Sequence, residues 1–533
     1  MNYEYFNVTE DHAYNLRQAL DYCKEKGVTE LEFNRGTYEF YPELASQSVC
    51  CIANHGCNGF KSIAFLLQDM QNFTLDGGGS TFVIHGVLNP FVLNNCKQIV
   101  LKNFSIYNPQ TFSTDSVVTA VNNEWFELQL LENQPYRLQN NQLYFLDVRS
   151  GIEYPAIILV ETNPQKKLLV WDAALRVDTE IKQKAPGVLL FKIPSRPLPT
   201  PGNHAVLLCG ARNSPNIFMQ NCSNVTVKNH TAYSAMGMGL IAQKCKNITV
   251  DGMKTALYQN RSFSLNADAT HFVNCSGTVR VVNSSFCGQL DDALNVHGIY
   301  TRVFKKGPNN ITVQFVHKET KGIDLYRPGE QLSVVDPLTL LQKGEFTIQA
   351  VQVLNNDCVR LTLNCSTENI SIGDSTELKN DYPTVVFENN TVEYNRGRGI
   401  LLASRAKTVV KNNYFHVSGP AILLESNGDF WFESGPVRDA EITHNTFDNC
   451  CYAAWDKRQL GVIHMAPRAK VEPDCYYHGR ITIEDNCFTN SKGPVLTANN
   501  VEKIKFLENK VCASGSSEPL QAVHCKTCNF QKI

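Results

Sequence analysis

The sequence predicts an all-β protein whose main body is a right-handed parallel β-helix, and three observations favour this fold class. Short segments of alternating β-branched residues recur 23 residues apart, as in NVTVKN at 224–229 and NITVDG at 247–252. Glycine, asparagine and aspartate separate these segments, which is typical of strands joined by tight turns. The chain has 533 residues, which exceeds one ordinary globular core but suits a stack of coils with insertions.

The first predicted element is a short amphipathic helix over residues 11–26, which Gly27 ends. Its apolar residues recur at helical spacing and are Leu16, Ala19, Leu20 and Cys23. The first coil of a solenoid otherwise exposes unpaired strand edges. We therefore expect the helix to cap that end, with residues 1–115 forming the cap and the first coils.

Residues 202–300 and 382–533 are predicted to form the central and the C-terminal coils. An asparagine occupies the same place in five C-terminal segments, at spacings of 23, 32, 41 and 23 residues; these are Asn390, Asn413, Asn445, Asn486 and Asn509. Stacked asparagine side chains hydrogen-bond along the stack, so we interpret them as corner residues of the coils and not as ligands. The longer spacings predict loops that leave the helix at particular turns.

Two stretches lack the asparagine repeat and alternate like antiparallel β-structure. They cover residues 116–201 and 301–381 and include WFELQLL and NITVQFVHK, respectively. Each is long enough for a small β-barrel or sandwich inserted into one coil. The second begins directly after the aspartates described below, so we expect it to lie beside the site.

Charge and hydropathy restrict the partners. The formal net charge is −2 and 19% of the residues are charged, so we expect no basic field for nucleic acid or an anionic membrane. The chain has no run of about 18 apolar residues, so no membrane span is predicted. Assembly into a homo-oligomer is left open.

The 19 cysteines are interpreted as mostly reduced thiols. Several occupy apolar positions, where a thiol behaves as a small hydrophobe; these are Cys96, Cys222, Cys245 and Cys275. Cys525 and Cys528 form a CxxC, but no second pair lies at zinc-finger spacing. The N-terminus lacks the layout of a secretion signal, so a reducing, cytoplasmic location is favoured, with export the alternative if a leader was removed.

Three aspartates are the candidate catalytic residues. Asp268 precedes the adjacent pair Asp291 and Asp292 by 23 residues, one coil length. Residues one coil apart are about 4.8 Å apart, so Asp268 and Asp291 are expected to stack, with Asp292 beside them. Crowded carboxylates raise at least one pKa and titrate as a unit, and glycoside hydrolysis uses such a raised acid beside ionised bases.

Seven further residues are candidate sugar contacts: Asn266, His271, Asn295, His297, Arg405, Trp431 and Glu433. The indole of Trp431 would stack on the apolar face of a sugar, and Glu433 would accept hydrogen bonds from its hydroxyls. Corner or core roles stay open for the asparagines and histidines, simple packing for Trp431, and an ion pair for Arg405. No histidine pair has metal-ligand spacing, so no metal and no cofactor are expected.

Two resemblances sharpen this interpretation. The order NAD, DD and NVHG resembles the NTD, DD and GHG layout of glycoside hydrolase family 28, the polygalacturonases, although the Arg-Ile-Lys clamp of that family is absent. Segments spread along most of the chain resemble glycoside hydrolase family 110: FYPELA, GFKSIAF, FTLDGGGSTFVIHG, MGMGLIAQ, DATHF, LDDALNVHGIY, RGILLASRAK and WFESGPVRDAEI.

The second resemblance implies a β-helix with β-barrel inserts and an exo-acting, inverting α-1,3-galactosidase. It implies a glycan with a terminal α-galactose, of the blood-group-B type or linear, as the substrate. It also implies that Asp291 is the general acid, and that Asp268 and Asp292 hold and deprotonate the attacking water.

Two other function classes stay open. One is a different β-helix carbohydrate enzyme, such as a polygalacturonase or a lyase; the other is a non-catalytic, adhesin-like sugar binder. An adhesin needs no carboxylate triad. A lyase needs an arginine or lysine base, and the stretch 266–298 is poor in basic residues.

Overall fold

The computed structural model describes residues 1–56, 58–163, 165–170, 175–176, 179–193, 198–453, 460–512 and 514–531. In this part of the chain the main body is a parallel β-helix formed by two long sheets. The predicted fold class is therefore confirmed.

The first long sheet contains 20 described strands. They are Glu30–Glu32, Thr37–Phe40, Gln71–Ile84, Lys97–Tyr107, Ser223–Ala232, Lys246–Asp251, Lys254–Thr255, Ser276–Val282, Ser285–Cys287, Thr384–Glu388, Thr391–Glu393, Lys407–Lys411, Tyr414–His416, Asp439–Thr443, Thr446–Asp448, His478–Glu484, Cys487–Thr489, Val501–Leu507, Lys510–Val511 and Thr527–Phe530.

The second long sheet contains 13 described strands. They are Ser46–Cys50, Gly59–Gln68, Asn89–Asn94, Ile217–Gln220, Leu240–Gln243, Thr270–Val273, Leu294–Ile299, Ile400–Leu402, Ile422–Leu424, Glu433–Ser434, Ile463–Met465, Leu496–Asn499 and Leu520–Val523. The first and the Glu433–Ser434 strands pair antiparallel, and the others pair in parallel.

The predicted corner asparagines form one continuous ladder, which we call the asparagine ladder (Asn390, Asn413, Asn445, Asn486 and Asn509). From Asn413 onwards, each Oδ1 accepts from the backbone N–H of the asparagine one coil earlier, at 2.8 to 3.0 Å, and Asn390 Oδ1 accepts from the Ser284 N–H at 2.9 Å. The corner interpretation is confirmed. The ladder satisfies buried backbone donors that a turn would otherwise leave unpaired.

A shorter ladder of buried cysteines occupies corners of the earlier coils. The backbone N–H of Cys96 lies 3.4 Å from the Sγ of Cys222, and that of Cys222 lies 3.4 Å from the Sγ of Cys245. The hydrogen bond to the next thiol of this ladder, and then burial, raise the pKa of the Cys96 and Cys222 thiols. These thiols pack in the apolar core, as the sequence predicted.

The N-terminal helix runs over His12–Lys26 and caps the first coil. The Asp11 side chain accepts from the Tyr14 N–H at 2.9 Å, and Gly27, at φ 65°, ends the helix. Leu16, Leu20 and other residues of its apolar face are buried in the same core as the first coils. Two 3₁₀ turns, Tyr3–Phe6 and Lys318–Thr320, complete the described helical elements.

The first insert is an antiparallel sheet with its own apolar core. Its described strands are Ser116–Val121, Trp125–Leu130, Tyr136–Gln139, Gln142–Leu146, Glu153–Asn163, Leu168–Leu169, Leu175–Arg176, Ile181–Ala185, Val188–Lys192 and His204–Cys209. The last strand pairs with Glu153–Asn163. The insert therefore extends past the predicted boundary at residue 201.

The second insert is a closed six-stranded barrel. Its strands are Thr301–Gly307, Asn310–Phe315, Gln331–Val335, Gln342–Val353, Cys358–Leu363 and Ser375–Leu378. The first and last of them pair and close the barrel. Across the described residues, no helix combines the length and the apolarity that crossing a bilayer requires.

Candidate functional site

The three candidate aspartates lie on two neighbouring coils, just before strands of the second long sheet. Thr270 pairs with Leu294 and His271 with Asn295, and the Ala269 N–H donates to the Asp292 carbonyl at 2.8 Å. This register places Asp268 level with Asp292. The prediction that Asp268 stacks on Asp291 is wrong by one residue, because the strand register, and not the coil length alone, sets which residues align.

Asp268, Asp291 and Asp292 form what we call the carboxylate cluster. One oxygen from each lies within 4.8 Å of the others. The cluster could hold a cation, but arginines already pair with two of its carboxylates. Arg212 and Arg398 therefore offset part of the negative charge of the carboxylate cluster.

Asp292 is fully buried and is held by Arg398. The backbone N–H and the Nε of Arg398 donate to Asp292 Oδ1 at 3.0 and 2.8 Å. The Arg398 Nη2 forms an ion pair with Asp292 Oδ2 at 2.7 Å. Burial raises the pKa of Asp292 to about 6, with Arg398 opposing the rise and Asp291 adding to it.

Gly397 lets this arginine approach the cluster. Its φ is +93°, and a Cβ there would lie 3.1 Å from Asp291 Oδ1 and 3.2 Å from Asp292 Oδ1. A side chain at this position would be strained and crowded against both carboxylates.

Asp268 begins a hydrogen-bonded chain of buried groups. Its Oδ2 lies 2.6 Å from His271 Nδ1, and His271 Nε2 lies 2.8 Å from His297 Nε2. His297 Nδ1 lies 2.7 Å from the Gly298 carbonyl, which can only accept, so this nitrogen carries a hydrogen. His297 Nε2 also lies 3.6 Å from Glu433 Oε1.

This hydrogen-bonded series of side chains can carry one proton, either on Asp268 or on His297. With the proton on Asp268, both imidazoles are neutral. His271 Nε2 then donates to His297 Nε2, and His297 Nδ1 donates to the Gly298 carbonyl. With the proton at His297, Asp268 is ionised and the imidazolium faces Glu433. Burial, and then the charges of Asp291 and Asp292, raise the pKa of Asp268 well above its ordinary value, so the unliganded chain favours the Asp268 end.

Asp291 is the most exposed member of the carboxylate cluster, at 17% of its side chain. Arg212 Nη2 donates to its Oδ2 at 3.1 Å, and Arg398 Nη2 lies 3.6 Å from its Oδ1. Asp291 lines a cavity of about 350 Å³, which we call the large cavity. Ile157, Ile158 and Leu208 of the first insert also line it.

A small cavity of about 40 Å³ adjoins the large one, lined by both Asp268 and Asp291. Its volume suits one water or one sugar hydroxyl. His271, Asn295 and Glu433 also line it. Asp291 therefore lines both cavities, and Asp268 lines the small one.

Most of the predicted sugar contacts meet at these cavities. Trp431 lines both, and Asn266 lines the large one. The Oδ1 atoms of Asn266 and Asn295 are buried and have no partner among the described residues, which leaves two acceptors for substrate hydroxyls. His271 and His297 are buried and lie within hydrogen-bonding distance of each other, and His271 contacts Asp268.

Arg405 does not line either cavity. Its guanidinium forms an ion pair with the buried Glu377 and lies 5.6 Å from the Tyr382 ring centre. This pairing raises the pKa of Arg405 against the effect of burial. The prediction of Arg405 as a sugar contact is corrected to the ion pair that the sequence had left open.

The sequence reasoning missed three arginines at the large cavity, Arg212, Arg396 and Arg398. All three lie outside residues 266–298, so the low basic content of that stretch did not reveal them. The motif RGRGI at 396–400 is the signal that was available, because two arginines around a glycine at the turn before a strand would enter the same site.

Comparison with known proteins agrees with this architecture. A family model described as GLAA-B beta-barrel domain II matches residues 310–375, inside the six-stranded barrel. A model described as right handed beta helix region matches residues 349–514. Its first part, up to residue 378, overlaps barrel strands, and the coils resume at Thr384–Glu388.

Relatives match over almost the whole chain. "Alpha-1,3-galactosidase A" of Shewanella woodyi is 32% identical over 95% of this chain and 84% of its own length. "Alpha-1,3-galactosidase B" of Bacteroides thetaiotaomicron is 27% identical with the same coverage. Among solved structures, the A-module of Azotobacter vinelandii mannuronan C-5 epimerase AlgE4 is 9% identical over the full length of both chains, with a TM-score of 0.46.

Proposed function

The chain belongs to the α-1,3-galactosidase family, and from this premise we propose that it is an exo-acting, inverting member of glycoside hydrolase family 110. It is a glycoside hydrolase that removes α-1,3-linked galactose. The observation that carries the finer proposal is the carboxylate cluster at the junction of the large and small cavities. The terminal galactose would lie there against Trp431.

The position of Asp291 supports its proposed role as the general acid. An acid must reach the leaving oxygen, and geometry is judged before pKa. Asp291 lines both cavities, whereas Asp268 lines the small one and Asp292 is fully buried. We therefore assign Asp291 as the acid, and Asp268 with Asp292 as the pair that orients and deprotonates water.

The histidine chain reconciles the raised pKa of Asp268 with a role as base. A protonated Asp268 cannot accept a proton from water. Transfer along His271 to His297 would leave Asp268 ionised and place the positive charge 3.6 Å from Glu433. When Asp291 gives its proton to the leaving oxygen and Asp268 takes one from water, the charge of the cluster is unchanged.

The burial of Asp268 and Asp292 supports inversion, whereas the short distance between the carboxyl groups argues against it. Inverting enzymes usually hold their two carboxyl groups about 6.5–9.5 Å apart, whereas the nearest oxygens here lie within 4.8 Å. The latter distance joins nearest oxygens and not whole groups. Asp268 and Asp292 are hydrogen-bonded and buried, so they reach the sugar through a water and not as nucleophiles. We give the burial of Asp268 and Asp292 greater weight than the short distance between carboxylate oxygens.

The test is hydrolysis of α-1,3-galactobiose, with α-1,4- and α-1,6-linked isomers and polygalacturonate as comparisons. We expect galactose release from the α-1,3 isomer, and NMR of the fresh product should show β-galactose. α-Galactose as the first product would mean retention and would overturn the roles of Asp268 and Asp292. Cleavage of polygalacturonate instead would contradict the proposal. It would mean that the arginines of the large cavity bind an acidic substrate.

A further inference from the structure

A second cleft lies where the first insert meets the coils. It has a volume of about 360 Å³ and shares no lining residue with the large or the small cavity. Tyr107, Tyr258 and Arg261 contribute from the coils, and Glu132 and Gln134 from the insert. It is comparable in size to the large cavity, but the galactosidase reaction leaves it without a role.

Arg261 fixes the two walls of this cleft to each other. Its Nη2 donates to the Pro109 carbonyl and to Glu132 Oε2, each at 3.1 Å. Its guanidinium carbon lies 5.9 Å from the Tyr107 ring centre and 5.5 Å from that of Phe263. Only 8% of the Arg261 side chain is exposed. The cleft is therefore built from packed, immobilised groups.

Two hydrogen-bond donors in its walls are unpaired. Gln134 Nε2 and Arg261 Nη1 are buried and have no partner within the described part of the chain. Gln134 as a whole is 6% exposed. A buried donor without an acceptor is destabilising, so native proteins supply one from protein, water or ligand. The oxygen of a bound molecule would satisfy this need.

Aromatic rings lie beside these donors. Tyr107 and Tyr258 stack with ring centres 3.9 Å apart, and Tyr233 meets Tyr258 edge-on at 5.3 Å. The rings are half-buried, which leaves apolar surface next to polar groups. A pyranose ring has the matching chemistry, because its C–H face packs on an aromatic ring and its hydroxyls both donate and accept.

Charge selects against acidic ligands. The carboxylates of Asp115 and Glu132 line the cleft together with the one cation of Arg261. Arg261 Nη1 keeps an unpaired hydrogen, but Glu132 already offsets the charge of that guanidinium. The two carboxylates outnumber the one cation among the lining residues, which disfavours a phosphate or sulfate. A neutral, hydroxyl-rich ligand avoids this repulsion.

We propose that this cleft is a second saccharide-binding site, which takes a neutral hexose unit of a glycan outside the catalytic cavities. Binding there requires no hydrolysis. The site would hold the enzyme on a glycan that carries many chain ends.

The test is equilibrium dialysis of the full chain carrying Asp291→Asn, with labelled α-1,3-galactobiose taken to saturation. We expect two molecules bound per chain. Adding Tyr258→Ala should remove one of them, and adding Gln134→Ala should weaken that site by about three- to tenfold, the effect of one hydrogen bond. Tyr5→Ala is the matched control, because Tyr5 is 77% exposed and lies outside the cleft.

Three further readouts make the outcome decisive. In the otherwise wild-type chain, Tyr258→Ala and Gln134→Ala should leave hydrolysis of nitrophenyl α-galactoside unchanged. If melting curves show that Tyr258→Ala does not fold, Gln134→Ala decides alone. If the catalytic cavity binds nothing, one site remains and Tyr258→Ala removes it, so the proposed function fails while this inference stands.

A stoichiometry that neither cleft variant alters overturns the inference. Inorganic phosphate that competes for the second site would also overturn it, because the cleft would then select anions. So would a dimer that covers Tyr258, detected by sedimentation, since the surface would then be an interface between copies of the chain.

Discussion

Asp268 Oδ2 lies 2.6 Å from His271 Nδ1, and this contact joins the carboxylate cluster to a buried pair of imidazoles. Burial, and then the neighbouring His297, lower the pKa of His271 well below its ordinary value, so His271 is neutral and carries one hydrogen. The position of that hydrogen decides whether Asp268 is protonated. The acid–base state of the cluster is thus set several bonds away from the sugar.

Asp268→Asn should stabilise the chain at alkaline pH while abolishing activity. A carboxyl whose pKa is raised by folding opposes folding once the unfolded chain ionises, so its cost begins near pH 4 and grows until the pH reaches the folded-state pKa. Asparagine has nearly the same shape and no charge. We expect a gain of about 1–3 kcal/mol at pH 8 and little gain at pH 4.

Urea unfolding of both proteins at pH 4, 6 and 8 measures this difference. The comparison is between the two proteins at each pH, because buried histidines add their own pH dependence to both. An equal gain in the free energy of unfolding at all three pH values would mean that folding does not raise the pKa of Asp268.

His297→Gln should lower kcat without changing KM. The substitution removes the group that accepts the proton from the far end of the chain, so Asp268 stays protonated and cannot activate water. We expect a loss of about 10²-fold, within the range of general acid–base effects. Initial rates on α-1,3-galactobiose and on nitrophenyl α-galactoside should fall alike; a rise in KM alone would indicate a sugar contact.

Arg398→Gln should move the acidic limb of the kcat/KM profile to higher pH. The Arg398 cation opposes the burial that raises the pKa of Asp292 to about 6, so removing it lets that pKa rise by about one unit or more. Activity should fall most near pH 6 and recover towards pH 8. Arg396→Gln is the matched control, because Arg396 lines the same cavity and its Nη1 donates to the Leu290 carbonyl. An equal shift in both variants would contradict the assignment.

The coils could be predicted because their corners repeat in the sequence. Asn413 and Asn445 are recognisable at different spacings, since each side chain accepts from the backbone N–H of the asparagine one coil earlier. The alignment of Asp268 with Asp292 could not be predicted in the same way. One residue in a turn shifts the register, and its hydrogen bonds become visible only when the strands are paired.

The arginines of the site could not be found by local reasoning. Arg212 and Asp291 are 79 residues apart, and Arg398 and Asp292 are 106 residues apart. Stacking of distant coils brings them together, and nothing in a short window marks an arginine as the partner of a given carboxylate. The same gap explains Arg405, whose motif indicated a site although its charge pairs with Glu377.

Asn445→Ala should destabilise the C-terminal coils. Its Oδ1 accepts from the Asn413 N–H at 3.0 Å, and its Nδ2 donates to the Val410 carbonyl at 2.9 Å. Both groups would be left buried and unpaired, at about 2–4 kcal/mol in total. Asn509→Ala should cost less, because Asn509 is half-buried at the end of the ladder and water can replace it. Urea unfolding of both variants measures the difference, and equal losses would argue against the ladder as a source of stability.

Asp291→Asn should cripple α-1,3-galactobiose, whose leaving sugar needs a proton, and should spare nitrophenyl α-galactoside, because nitrophenolate leaves without one. Asp268→Asn should damage both substrates alike, since the water loses its base. General acid or base groups contribute about 10²–10⁴-fold, so steady-state rates on the two substrates resolve the contrast. If Asp268→Asn is the variant that spares the nitrophenyl substrate, the raised pKa and not the exposure identifies the acid, and the two roles exchange.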